Sequence, residues 1–211
     1  MPRIGKQEQA EKRERILRHA TTLFSQHGFS ETTVAVVAKE AGISFGSVFT
    51  YFPSKEELFG AAVLEPLHKL REMFSLPDEK SGTPLEQIAH MVSRHVRFFS
   101  EQVEYLRIVQ YVLGQPDRFP ALFQQLDQFL SDAVEALCPL IAAGQKAGEL
   151  AVIDPKLVCL SYIAFLNGTR LTIVDDSSNG IWTMFSTQAL RLFGPLDERQ
   201  FAKVIAENGR A

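Results

Sequence analysis

Glu65 and His68 stand three residues apart, a spacing that puts a carboxylate and an imidazole on one helix face where a metal could bind both. A di-metal helical bundle needs two such motifs and two further glutamates, and here the motif stands alone. Glu86 and His90 also share a face, four residues apart, without an obvious third ligand. His90 and His95, five apart, point to different faces. No Gly-rich phosphate loop, nucleophile elbow or Cys-x-x-Cys accompanies them. These histidines read as ordinary core or solvated side chains, and the chain as neither an enzyme nor a holder of metal or cofactor. An all-α metalloenzyme is the rival reading. Another stretch offers binding chemistry. In AGISFGSVFTYFPSKEEL, residues 41–58, Ser44, Ser47, Thr50 and Tyr51 carry hydroxyls and Lys55 an ammonium, with Gly46 among them. Small and hydroxyl-bearing side chains let a helix backbone come close to another surface, and a helix N-terminus attracts phosphate.

The elements that must hold these groups are short. Thr33 can cap a helix that buries Val34, Val37, Ala38 and Ala41, and Gly42 ends it. Ser44 caps the next helix, which Pro53 terminates. Residues 46–50 are mediocre helix formers, so packing must hold that helix in place. Phe45, Val48, Phe49 and Phe52 fall at spacings of three and four and are expected to face inward, leaving Gly46, Ser47, Thr50 and Tyr51 outside. Two short helices joined through Ala41–Ser44 make a helix-turn-helix, or else a helical hairpin at a domain edge.

Around this pair nearly everything reads as helix. A first helix carries Ile16, Leu17, Ala20, Leu23 and Phe24 on one stripe and stops at Gly28. Ser54 and Glu57 have capping-box spacing and open a fourth helix expected to run to about Phe74. Residues 76–83 read as a loop, after which Thr83, Pro84 and Glu86 combine cap, first-turn proline and box glutamate. Further helices are expected near 84–101, 103–114, 120–147 (kinked at Pro139), 155–175 and 181–193. Gly194-Pro195 closes the last and leaves a tail. The expected fold is all-α: an N-terminal helix-turn-helix domain over residues 1–54 and a larger helical domain over 55–211.

Charge distribution says more than its sum of −3. Residues 1–20 hold six Lys/Arg against three Glu, whereas residues 61–211 hold 14 Lys/Arg against 18 Asp/Glu. A basic leading segment on an acidic body suits a molecule with one end toward a polyanion. Cys138 and Cys159 sit in apolar helical patterns and read as reduced core thiols. The first residues have no apolar run and no stretch is long enough to span a bilayer, so a cytoplasmic protein without membrane partner is expected.

The string Phe29-Ser-Glu-Thr-Thr-Val34, Val37-Ala-Lys-Glu-Ala-Gly-Ile-Ser44 and Gly46-Ser-Val-Phe-Thr-Tyr-Phe-Pro-Ser-Lys-Glu-Glu-Leu58 closely resembles the DNA-binding signature of tetracycline-repressor (TetR) family regulators. The resemblance is specific over about residues 10–60 and elsewhere rests on the number and spacing of helices. It implies a double-stranded DNA operator as partner, phosphate contacts from Thr33, Tyr51 and Lys55, and residues 44–50 (Ser44, Phe45, Gly46, Ser47, Phe49, Thr50) in the major groove. The family usually has tyrosine where this chain has Phe49, which removes one possible phosphate hydroxyl. It also implies a homodimer, an imperfectly palindromic operator, and a small-molecule effector that releases a repressor from DNA. An architectural DNA-binding protein without effector is the alternative.

The larger part fits that picture on its own terms. The segment from Leu157 to Val174 is apolar on almost every side, which suggests one side on its own core and another on a partner. Phe165, Gly168, Trp182 and Phe185 are the candidate dimer contacts, Gly168 permitting close backbone approach. Polar residues near apolar runs are the candidates for an effector pocket: His95, Tyr105, Gln110, Asn167 and Arg170. Arg170 could pair with an anionic effector or close a salt bridge across the dimer.

Overall fold

The structure, a computed structural model, describes residues 5–74, 82–172 and 179–208. Most of the expected 76–83 loop, and Ile173 and Val174 of the apolar segment, lie outside them. Among the described residues the chain is all-α, with a single isolated bridge between Leu150 and Pro195 and no strand. The helices are α1 (Lys6–Glu31), α2 (Val34–Glu40), α3 (Phe45–Tyr51), α4 (Lys55–Leu64), α5 (Leu67–Phe74) and α6 (Pro84–Glu101), then α7 (Val103–Leu113), α8 (Pro120–Lys146), α9 (Pro155–Thr172), α10 (Asn179–Arg191) and α11 (Glu198–Asn208). Packing groups them into two compact units. One comprises residues 1–68 and 104–126, the other 69–103 and 127–211, a partition drawn by contact and different from a functional division at residue 54.

In the first unit α1 buries Ile16, Ala20 and Phe24, the inner part of the expected stripe. Gly28 interrupts it at φ 72°, ψ 175°, a region open essentially to glycine alone. The break turns Phe29 back onto Phe24 and Phe59, with ring centroids 6.1 and 5.1 Å away, and Phe119 closes the cluster. Thr32 fastens the turn by donating to the Gly28 carbonyl at 2.8 Å. Gly28→Ala should therefore destabilise the protein by about 1–3 kcal/mol, read as a lower urea midpoint at unchanged slope, because the new Cβ meets strain rather than a clash. The nearest atom to that Cβ, Tyr111 Cε2, is 3.6 Å away.

One helix boundary corrects the sequence expectation and one helix adds to it. The helix opened by Ser54 ends at Leu64, and α5 starts anew at Leu67. Pro66 has no amide hydrogen to continue the ladder and its ring crowds the preceding turn. The residues past Pro195, a tail to which the sequence assigns no structure, form α11: the Asp197 carboxylate accepts the amides of Arg199 and Gln200 at 2.8 and 3.2 Å, and Phe201 and Val204 are buried. Arg191 fixes its start, pairing with Glu198 at 2.9 Å while its guanidinium lies 4.3 Å from the Phe201 ring centroid.

In the second unit Thr83 and Glu86 close a full capping box at the head of α6. That helix buries Ile88, Val92, His95, Val96 and Phe99. Helix α9 faces inward with Val158, Tyr162, Ile163 and Leu166, while Leu157, Leu160, Ala164, Gly168 and Leu171 form an outward stripe open to solvent in the single chain. Burial, then the neighbouring Cys138, push the Cys159 thiol up to about 12, so it stays protonated at neutral pH. No helix among the described residues is long and apolar enough to cross a membrane.

Candidate nucleic-acid interface

The α2–turn–α3 hairpin is assembled from local signals. Thr33 Oγ1 accepts the Val36 amide at 3.3 Å and starts α2. At its end Gly42 takes φ 63°, Ile43 donates to the Ala38 carbonyl at 2.9 Å and Gly42 to Lys39 at 3.1 Å. This double bond pattern is the Schellman closure, which requires a left-handed residue and so favours glycine. Ser44 Oγ then accepts the Ser47 amide at 3.3 Å and shares a 2.6 Å hydrogen bond with the Ser47 hydroxyl. Ser54 caps α4 through the Glu57 amide at 3.0 Å.

Helix α3 is held on one narrow edge. Val48 and Phe52 are buried, and the Arg13 guanidinium lies over the Phe52 ring at 4.8 Å while pairing bidentately with Glu65. That pairing also commits Glu65, the carboxylate of the lone Glu-x-x-His motif, to a structural ion pair. Ser44, Gly46, Ser47 and Thr50 are exposed and Tyr51 is half-buried. Phe45 and Phe49 correct the sequence expectation: they were expected to face inward, yet they are 54% and 38% exposed. This seven-residue helix has a narrow core contact. Val48 and Phe52 fill it, and the other two rings sit round its edge, packed edge-to-face on each other at 5.1 Å.

Lys55 and Thr33 flank this face. The Lys55 ammonium donates to the Ser30 carbonyl at 3.2 Å and stands 4.5 Å over the Phe29 ring, a placement that aims it and leaves donor capacity for a phosphate. Thr33 uses a lone pair in its cap and keeps its proton to donate. Arg118, which sequence reasoning missed, reaches Ser30 Oγ at 2.6 Å and lies 5.4 Å from the Phe29 ring, so that two cations share one anchor. The partners are 88 residues apart, and no local pattern joins them.

The candidate effector residues divide between the units. Tyr105 and Gln110 belong to the first, where the buried Tyr105 hydroxyl donates to the Val63 carbonyl at 3.1 Å and burial pushes its pKa up. His95, Asn167 and Arg170 belong to the second. His95 is fully enclosed, its Nδ1 2.9 Å from the Tyr162 hydroxyl and its ring 4.0 Å from that of Phe74. Tyr162, a partner the sequence reading missed, is itself buried, which holds its pKa well above the usual phenol. Asn167 donates to Ile163 at 3.0 Å and Arg170 is buried. Of the candidate dimer contacts, Gly168 is exposed, Phe165 and Phe185 are half-buried with rings 5.9 Å apart, and Trp182 is buried beside α6. Trp182 floors a groove of about 840 Å³ whose walls carry Ser93, Arg94, Arg97 and Thr187.

Residues 16–62, which hold the whole hairpin, match the family model for bacterial regulatory proteins of the tetR family. The HTH-type transcriptional regulator RutR of Escherichia coli O157:H7 is 31% identical over 154 residues, covering 69% of this chain and 67% of that protein. The fatty acid metabolism regulator protein of Bacillus subtilis (strain 168) is 22% identical over 178 residues, with 84% and 91% covered. Among solved structures, a regulatory protein of the tetR family from Rhodococcus RHA1 superposes with a TM-score of 0.75 over 89% of this chain and 99% of that one, at 21% identity. AmtR of Mycobacterium smegmatis gives 0.70 over 98% and 97%, also at 21% identity.

Proposed function

Because the chain belongs to the tetR family of bacterial regulatory proteins, DNA-binding transcription regulators rather than enzymes, we propose that it acts as a ligand-responsive repressor that binds a palindromic operator as a homodimer. Residues 1–54 read the operator and residues 55–211 bind effector and partner. Ser44 to Thr50 enter the major groove; Thr33, Tyr51 and Lys55 hold the flanking phosphates. Two-fold symmetry sets the two α3 helices in successive major grooves. The protein works in the cytoplasm.

The observation that carries this reading is Gly46. A glycine in a helix interior costs roughly 0.5–1 kcal/mol relative to alanine, and in the first turn, where Gly46 stands, it is still the poorer helix former. Nothing among the described residues needs it, since an added Cβ would meet none of their atoms within 4 Å. Close approach to a surface outside the chain accounts for it. Gly46→Ala should accordingly raise the stability of the free protein by up to about 0.5 kcal/mol and weaken operator binding. Opposite signs in thermal melting and in fluorescence anisotropy support the proposal; a variant that binds DNA like the parent removes its main support.

The outward stripe of α9 supports the dimer, with Gly168 again a helical glycine facing open space. His95, Tyr105, Gln110, Asn167 and Arg170 are the candidate effector-binding residues, Arg170 serving either an anionic effector or a salt bridge across the dimer. The effector must bind the DNA-incompetent state more tightly, or it shifts nothing. The direct test is anisotropy with DNA from upstream of the protein's own gene, beside an unrelated duplex, at two salt concentrations. Preference for the upstream DNA that survives the higher salt supports a specific regulator. Equal binding favours an architectural protein, and thermal-shift screening for small-molecule stabilisation separates the two.

A further inference from the structure

The face that α3 turns outward contains no arginine, lysine, asparagine, glutamine or carboxylate: from Ser44 to Thr50 it carries Ser44, Phe45, Gly46, Ser47, Phe49 and Thr50. The side chains that make paired hydrogen bonds to guanine or adenine are missing from it. In their place stand two phenylalanine rings, 54% and 38% exposed, four residues apart and packed edge-to-face at 5.1 Å. The fold does not call for either ring there, since Val48 and Phe52 supply the helix's buried contacts. An exposed aromatic pair loses free energy to water until an apolar surface covers it. The major groove of B-DNA offers one apolar group, the C5 methyl of thymine. Exocyclic amines of cytosine or adenine set against the rings would lose their water and gain only the weak acceptor of an aromatic face, so the pair also disfavours those bases.

We propose that Phe45 and Phe49 together form an apolar reader of thymine methyls, so that each operator half-site carries thymine beneath α3 and is recognised there by methyl contact instead of by paired hydrogen bonds. Ser47 and Thr50 remain to bond base edges or phosphates beside the rings. The inference rests on α3 being the groove-inserted helix, and its test separates failure of the one from failure of the other.

Random-sequence duplexes are selected with the full-length protein, and the best-bound duplex is remade with deoxyuridine for thymine in both half-sites, which removes the methyl and preserves pairing and the O4 acceptor. Burying one methyl is worth roughly a fourfold change in affinity, so losing one per half-site should weaken the wild-type protein about sixteenfold. Phe45→Ala should bind both duplexes alike, and deoxyuridine outside the half-sites should change nothing. The exposure of Phe45 makes that variant a folded protein, and melting with Phe49→Ala beside it verifies this. Sequence-specific binding that is indifferent to deoxyuridine overturns the methyl reader while leaving the regulator intact. A deoxyuridine effect that persists undiminished in both variants overturns it as well. Selection that yields no preferred sequence overturns α3 as the reading helix, and this inference with it.

Discussion

Gly168→Arg should give a folded monomer and lower operator affinity by about 10²–10⁴-fold. The magnitude follows from effective concentration: once one half-site is held, a joined second reading head binds as an intramolecular event, and a monomer loses that advantage. The position is chosen for what it spares. Gly168 lies within α9, its Cβ would meet no atom of the described residues within 4 Å, and its φ is not in the left-handed region, so a side chain leaves this position without strain. Arginine is also the better helix former by most of a kcal/mol. It sits on the stripe of Leu157, Leu160, Ala164 and Leu171, of which Leu157 and Leu171 are 58% and 64% exposed. Four apolar residues along one outward face are costly in water and low in cost against an identical helix, and a guanidinium buried between two such faces has no counterion there. Light scattering after gel filtration reads the mass and anisotropy reads the affinity. A variant that remains dimeric places the interface elsewhere, and a monomeric wild-type protein removes the dimer from the mechanism.

What the sequence made legible here is mostly what is decided within five residues. Thr33, Ser44 and Ser54 cap where their side chains and the following apolar residues say they should, and Gly42 closes the turn because few other residues take its φ. The Thr83–Glu86 box is legible for the same reason. Errors enter where a pattern's width or reach matters. Phe45 and Phe49 share the 3.6-residue stripe with Val48 and Phe52, but periodicity fixes a direction and leaves open how much of the stripe a neighbour covers. Pro66 is a readable break, although the apolar spacing continues past it through Leu67 and Leu70. In α11 the Asp197 cap and the Phe201–Val204 spacing are present but short, and they follow a Gly-Pro pair that reads as an end. Partners distant along the chain left no local trace: Tyr162 lies 67 residues from His95, and Arg118 reaches back to the first helix. At the candidate site the residue types were legible and their exposure was not, and exposure is what turns two core phenylalanines into candidate base readers.

Lys55→Ala should flatten the salt dependence of operator binding, because a dimer that loses one phosphate contact per subunit loses about 1.8 from the slope of log K against log salt. Between 50 and 200 mM salt the variant's affinity should then fall about tenfold less than that of the parent. The geometry supplies a control for the objection that Lys55 merely braces the fold. Its ammonium holds the Ser30 carbonyl and the Phe29 ring, and Arg118 holds the Ser30 hydroxyl and the same ring. If both cations only brace that corner, Lys55→Ala and Arg118→Ala should lose stability alike and keep the parent's slope. If Lys55 also meets a phosphate, its variant alone shows the shallower slope, since counterion release counts charges on DNA and is blind to internal packing. Tyr51→Ala is the neutral comparison: a hydroxyl contact to phosphate contributes affinity without displacing a cation, so its loss should lower binding across all sequences with the slope unchanged. Parallel lines for the parent and Lys55→Ala would take the phosphate role from Lys55 and leave it as a brace for the turn at Ser30.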